Sequence, residues 1–209
     1  TITVKIGANL TVEGSGTVDN VTHAKAAIWN EGTVNLNGGT YTRSKENGQS
    51  AESSGGNSYY VLLNHGTMTI SDGVAVTQNG HFSSLLENGY YSYNSSNSSS
   101  GYVADTNAQN PTLTINGGTF DGGLNTVKND DGGILIINGG TFKNVTQAAL
   151  LNWNDTTING GTFTSEAYCI LNGGGNESID KGDLAIKGGT FTAGDGYDAI
   201  AAMYGNDNY

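Results

Sequence analysis

Ile134-Leu135-Ile136-Ile137-Asn138-Gly139-Gly140-Thr141-Phe142 is the stretch on which the reading of this chain turns. A short apolar strand runs into a glycine pair, and a Thr-Phe step follows. Glycine is the residue that reaches positive φ without steric cost, so the pair marks a tight corner between two strands. The same tetrad, Gly-Gly-Thr followed by Phe or Tyr, begins at Gly38, Gly117, Gly139, Gly160 and Gly188. A degraded copy is read at Asp72-Gly73-Val74-Ala75. The two closest intervals are 22 and 21 residues. A fixed period of this size is the signature of a repeat architecture.

Working outward, apolar residues stand two and four positions before the glycine pair. They are Val34/Leu36, Met68/Ile70, Leu113/Ile115, Leu135/Ile137 and Leu184/Ile186, with Thr156/Ile158 as a weaker copy. Further upstream lies a second apolar strand that ends in Asn, at Asn30, Asn64, Asn129, Asn152 and Asn172. The aromatic of the tetrad opens a third strand. Each repeat therefore reads strand, turn, strand, turn, strand. Side chains alternate faces along a strand, so matched offsets stack Ile on Ile and Phe on Phe from one repeat to the next. One repeat alone cannot bury its apolar face; a pile of them can. The expectation is an all-β, right-handed, single-stranded parallel β-helix (a solenoid) of about seven or eight rungs. With strands about 4.8 Å apart, such a rod is roughly 35 Å long.

The pattern resembles the right-handed parallel β-helix superfamily, which includes pectate lyases, polygalacturonases and phage tailspikes. The asparagine column resembles that superfamily's asparagine ladder. The tetrads are also similar to repeats in large surface proteins of gut bacteria. The resemblance spans nearly the whole chain and implies a fold rather than a function, because one fold hosts many functions.

Composition narrows the classes of function. The 209 residues include 33 Gly, one Pro and one Cys, and the net charge is −11 with Arg43 as the sole arginine. Nucleic-acid binding needs clustered Lys and Arg, so it is not expected. No apolar run approaches the roughly 18 residues that span a bilayer, so no membrane insertion is expected. A lone Cys169 forms no internal disulfide. Thr1–Ile6 reads as a strand rather than a signal peptide, and the chain lacks an initiator Met. It is read as one domain over 1–209, a piece of something longer. Asp198–Tyr204 reads as a further first strand without its rung, whose open edge invites end-to-end self-association.

Extra residues relative to the basic period fall near 43–58, 82–103 and 173–183. The first two are read as leaving one edge of the helix, where insertions often form a binding face. The second holds Tyr90, Tyr91, Tyr93 and Tyr102 among Ser and Asn, a composition suited to adaptable recognition and to stacking on sugar rings. Trp29 adds a platform. The competing reading is that these rings cover the outward column Trp29, Leu63, Leu151 and Leu171, which would otherwise form a large exposed patch.

Candidate chemistry is sparse. An acid–base glycosidase needs two carboxylates about 5–10 Å apart. Asp130 and Asp131 are the obvious pair, set against a plain turn before Gly132-Gly133. The Gly-His-Gly motif that resemblance to polygalacturonases would require does not occur, and Arg43-Ser44-Lys45, which has the Arg-x-Lys form, lies in a loop with no aligned acidic cluster. His23, His65 and His81 lack metal spacing. Calcium suits the abundant oxygen ligands better than zinc does, with Asp180, Asp183, Asp195 and Asp198 as donors, although their loops match no EF-hand or nonapeptide pattern. No cofactor is expected. Thr40-x-Thr42, Thr162-x-Thr164 and Thr190-x-Thr192 begin an ice-binding type of array, interrupted by Asp121 and Lys143 and by Val74 in a Thr slot.

The favoured expectation is a non-enzymatic, extracellular or cell-surface bacterial module that binds a glycan or a host or neighbour-cell protein. A polysaccharide lyase or glycoside hydrolase is the first alternative, and an ice-binding protein the second.

Overall fold

The computed structural model describes residues 1–22, 24–46, 59–90, 110–173 and 182–203. Among these, every regular element is a strand, and the strands form three parallel sheets. The first sheet holds β1 (Ile2–Val4), β4 (Ile28–Asn30), β7 (Leu62–Asn64), β10 (Leu86–Asn88), β13 (Asn125–Asn129), β16 (Ala148–Asn152), β19 (Tyr168–Asn172) and β22 (Ile200–Ala202). The second holds β2 (Asn9–Val12), β5 (Thr33–Leu36), β8 (Thr67–Ile70), β11 (Thr112–Ile115), β14 (Ile134–Ile137), β17 (Asp155–Ile158) and β20 (Leu184–Ile186). The third holds β3 (Thr17–Asp19), β6 (Gly39–Thr42), β9 (Val74–Gln78), β12 (Thr119–Gly122), β15 (Thr141–Asn144), β18 (Thr162–Ser165) and β21 (Thr190–Thr192). Successive strands visit the three sheets in turn, and each pairs with the strand three places on. The chain is a right-handed parallel β-helix of seven full rungs plus the first strand of an eighth.

The core follows from the alternation. Val34, Met68, Leu113 and Leu135 stand in one register column, and Leu36, Ile70, Ile115, Ile137 and Ile158 in the next. All are buried. In the third sheet Phe120, Phe142, Phe163 and Phe191 lie ring on ring, with centroids 4.9, 4.5 and 5.0 Å apart and planes within 15°. Their spacing is the strand spacing, so backbone pairing and ring stacking reinforce one another. At the corner before this column, Gly140 has φ of +110°, and a Cβ on Gly139 would stand 2.9 Å from the Asn116 carbonyl oxygen in the rung below. The glycine pair is thus a requirement of both backbone conformation and close approach.

The asparagine column is continuous and longer than the sequence shows. The Asn30 side-chain amide donates to Asn64 Oδ1 (2.7 Å), Asn64 to Asn88 (2.7 Å), Asn88 to Asn129 (2.8 Å), Asn129 to Asn152 (3.0 Å) and Asn152 to Asn172 (2.8 Å). A second, exposed run follows the second sheet, where Asn159 donates to Asn138 and Asn138 to Asn116.

Four expectations change. Leu86-Glu87-Asn88 is a rung strand, β10, so 82–103 is not wholly an insertion. The extra residues of that rung lie between β10 and β11. They leave the corner after the ladder asparagine, whereas those before β7 join the third sheet to the first. The two long connections therefore flank opposite edges of the first sheet and do not share one edge. The degraded tetrad is shifted by one residue: Val74 pairs with Gly39, Ala75 with Thr40 and Val76 with Tyr41. The physical reason is that Gly73, at φ +85°, makes the corner one residue earlier than the second glycine of the other copies. Finally, Ser15-Gly16-Thr17-Val18 is an unrecognised first copy, with Thr17 opposite Thr40 and Val18 opposite Tyr41.

Candidate functional site

On the outward face of the first sheet, one column runs Trp29, Leu63, Glu87, Lys128, Leu151, Leu171. Trp29 is half-buried, and the other five expose at most 5% of their surface. This face is therefore covered. Among the described residues, Ala148, Leu151, Leu171 and Met203 form a small apolar cluster there, with Trp153 and Tyr168 packed against it.

Three aromatic side chains gather toward the N-terminal end of that face, beside the asparagine corner. Trp29 is on β4, His65 follows Asn64 of β7, and Tyr90 follows β10 by two residues. The His65 and Tyr90 rings stack at 4.5 Å and 27°. Trp29 meets His65 edge-on at 6.1 Å, and its indole N–H donates to His65 Nδ1 at 3.3 Å. That bond leaves the imidazole proton on Nε2. Lys5 Nζ sits 5.4 Å from the Trp29 ring centre and 2.7 Å from Glu31 Oε2. All three rings are half-buried, so each keeps a face or an edge toward solvent. The structure thus brings together Trp29 and Tyr90 of the five residues expected to contact a ligand, through His65, which was not among them. Tyr91, Tyr93 and Tyr102 lie outside the described residues.

Burial holds the His65 imidazole down at about 4, against 6.5 for an ordinary histidine, although Glu31 and Asp130 pull the other way. Between those two values the unfolded chain binds a proton that the folded chain refuses. Stability present above pH 6.5 is therefore lost as pH falls toward 4, by on the order of 2–3 kcal/mol. His65→Gln is expected to flatten the decline in melting temperature between pH 7 and 4. An unchanged slope in the variant would place the pH sensitivity elsewhere. Glu87 acts with the opposite sign. Burial pushes its carboxyl well up, so its effect on stability is most favourable below about pH 4.5 and fades as pH rises through its folded value. Comparison of the variant with the parent chain cancels that contribution.

The candidate catalytic groups are placed as follows. Asp130 and Asp131 expose 0% and 1%, which takes them off the surface that a polysaccharide would contact. Asp130 Oδ2 lies 2.5 Å from Lys128 Nζ, its Oδ1 accepts the Asp131 N–H, and its carbonyl accepts the Gly133 N–H in a turn. Arg43 is also buried. It donates to Glu46, to the carbonyls of Lys25 and Thr22, and at 3.4 Å to that of Tyr59.

Among the described residues, no three His, Cys, Asp or Glu side chains are grouped to hold a metal ion. Of the calcium candidates, Asp183, Asp195 and Asp198 are exposed and Asp180 lies outside the described residues. His81 Nδ1 contacts Thr146 Oγ1 at 2.7 Å, and His23 lies outside the described residues. The outward threonine column of the third sheet is more regular than the sequence suggests. It runs Thr17, Thr40, Ala75, Thr119, Thr141, Thr162, Thr190. Its neighbour carries Asp19, Asp121 and Lys143 among threonines, which breaks the uniform hydroxyl array.

Comparison with family models, with curated proteins and with solved structures gives no match to this chain, and the reading of its function rests on its own residues.

Proposed function

We propose that this chain is a non-enzymatic surface module, displayed outside a bacterial cell, that binds a glycan at the Trp29–His65–Tyr90 corner. The observation that carries the reading is that three aromatic rings from three successive rungs converge there half-exposed. A sugar ring offers apolar C–H faces to aromatic faces, and its hydroxyls suit the His65 imidazole and the Lys5 ammonium at the rim. The rings stand on paired strands or directly beside them, so little ordering cost remains on binding. The connection between β10 and β11 carries Tyr91, Tyr93 and Tyr102 in its sequence, an aromatic composition that supports the reading. The β-helix serves as a spacer, in the manner of the surface-protein repeats that the tetrads resemble. Among the described residues no strand pairs with the outer edge of β22, which supports end-to-end association with another chain.

A glycan array followed by titration of the strongest binder tests this reading. Tyr90→Ala and Trp29→Ala are each expected to weaken binding at least about tenfold, the range that loss of one stacking partner of about 1.4 kcal/mol gives. Tyr90→Ala is expected to leave the melting temperature nearly unchanged, because its ring lies at the rim. Binding that survives both substitutions refutes the corner as the site. Turnover of polygalacturonate or a related acidic polysaccharide, removed by Asp131→Asn, would instead establish the enzymatic alternative.

A further inference from the structure

Lys128, Asp130 and Glu87 meet on the covered face of the first sheet. Lys128 and Asp130 are two apart along one strand direction, so they project to the same side. Nζ lies 2.5 Å from Asp130 Oδ2, and the two side chains expose 7% and 0%. Glu87, also at 0%, stands opposite Lys128 in register on the neighbouring rung. The Trp153 ring lies 4.1 Å from Nζ. Tyr60 lies near both carboxylates. One amine and two carboxyl groups thus share a site stripped of water.

Such a site favours reactions that destroy charge. A buried ion pair carries the desolvation cost of both ions, and condensation to an amide removes both at once. Held contact also replaces a bimolecular encounter, which raises effective concentration by many orders of magnitude. The third group supplies what a bare pair lacks. Burial keeps the Glu87 carboxyl protonated well above the usual carboxylate range, so it has a proton to give.

We propose that Lys128 and Asp130 become joined by an intramolecular amide between Nζ and Cγ, formed after folding with Glu87 as the proton carrier. A proton first passes from the ammonium to the Asp130 carboxylate, leaving a neutral amine and a neutral acid. The Nζ lone pair attacks Cγ, and the N–C bond forms. Glu87 gives its proton to the departing Asp130 hydroxyl as the C–O bond breaks, and recovers one from Nζ. The ammonium and the carboxylate become one amide and one water, with no oxidant, metal or co-substrate. Glu87 is a catalytic residue of this step. The inference goes beyond glycan binding and stands or falls separately from it.

The intact mass of the purified full chain, measured under denaturing conditions, tests the proposal without a variant. The expected value is lower than the sequence mass by one water. Trypsin is expected to pass over Lys128, because an acylated Nζ no longer fits its requirement for a cation, and fragmentation between Lys128 and Asp130 is expected to be silent. A mass equal to that of the sequence overturns the proposal. Asp131-Gly132 offers a competing loss of water through a cyclic imide. That product leaves Lys128 cleavable and persists in Lys128→Met, and either result overturns the amide. Glu87→Gln mimics the protonated acid and preserves the packing, so it is expected to fold and to retain the full sequence mass. Full condensation in that variant overturns the role of Glu87.

Discussion

Phe142→Ala is expected to cost about 3–5 kcal/mol, the range for removing a buried aromatic side chain. In a chain of this size that corresponds to a fall in melting temperature of roughly 10 °C. Phe142 is fully buried between Phe120 and Phe163, whose centroids lie 4.9 and 4.5 Å away. In many cores a deletion is partly healed by neighbours that move inward. Here the two flanking rings are held apart by the backbone, because β12, β15 and β18 are pinned in register by parallel pairing. The gap cannot close without breaking those hydrogen bonds, so the cavity term is retained in full. Phe191→Ala provides the comparison. Phe191 is only half-buried, with one stacked neighbour among the described residues, Phe163 at 5.0 Å. Its loss is expected to cost less than half as much. Chemical denaturation of both variants measures the difference, and equal losses would show that stacking within the column contributes little.

The second large effect is electrostatic and local. Arg43→Ala is expected to destabilise the N-terminal rungs by about 3–5 kcal/mol, the cost of stranding the partner of a buried ion pair. The Arg43 and Glu46 side chains expose 2% and 1%, and Nη1 lies 3.0 Å from Glu46 Oε2. Removal of the guanidinium leaves that carboxylate uncompensated and leaves the carbonyls of Lys25 and Thr22 without their donor. In a solenoid each rung contacts only its neighbours, so the damage stays near its origin. Amide hydrogen exchange is therefore expected to show lost protection in β4 to β9 and near-parental protection in β15 to β18. A double variant, Arg43→Met with Glu46→Leu, is expected to recover much of the loss, because it removes both charges while preserving volume. Uniform loss of protection along the whole rod would contradict this localisation.

These two sites show where the sequence is informative. Phe142 belongs to a tetrad that occurs five times, with its nearest copies 22 residues before and 21 after, and its partners are legible before any coordinates are known. Arg43 reads as an unremarkable loop residue, and its burial follows from the return of the chain at Tyr59 and from the carbonyls of Thr22 and Lys25, none of them fixed by local pattern. The same contrast separates Asn129, recognised by its position in a repeat, from Asn88. Asn88 performs the same bridging but escaped notice because Glu87 occupies a slot where three of the other strands carry Leu and the next tetrad begins only at Gly117.

By itself, the sequence determined the coil, its three strands per rung and the columns of Phe, aliphatic and Asn side chains. Those features arise from alternation along a strand, from glycines that alone accept the corner, and from a repeat that places like on like. Only the tertiary structure decided that Glu87, Lys128 and Asp130 share one dry site, that Trp29, His65 and Tyr90 converge, and that the long connections flank opposite edges of the first sheet. Each of those facts depends on how residues from different rungs lie against one another across the outer surface, and no periodicity in the chain specifies that packing.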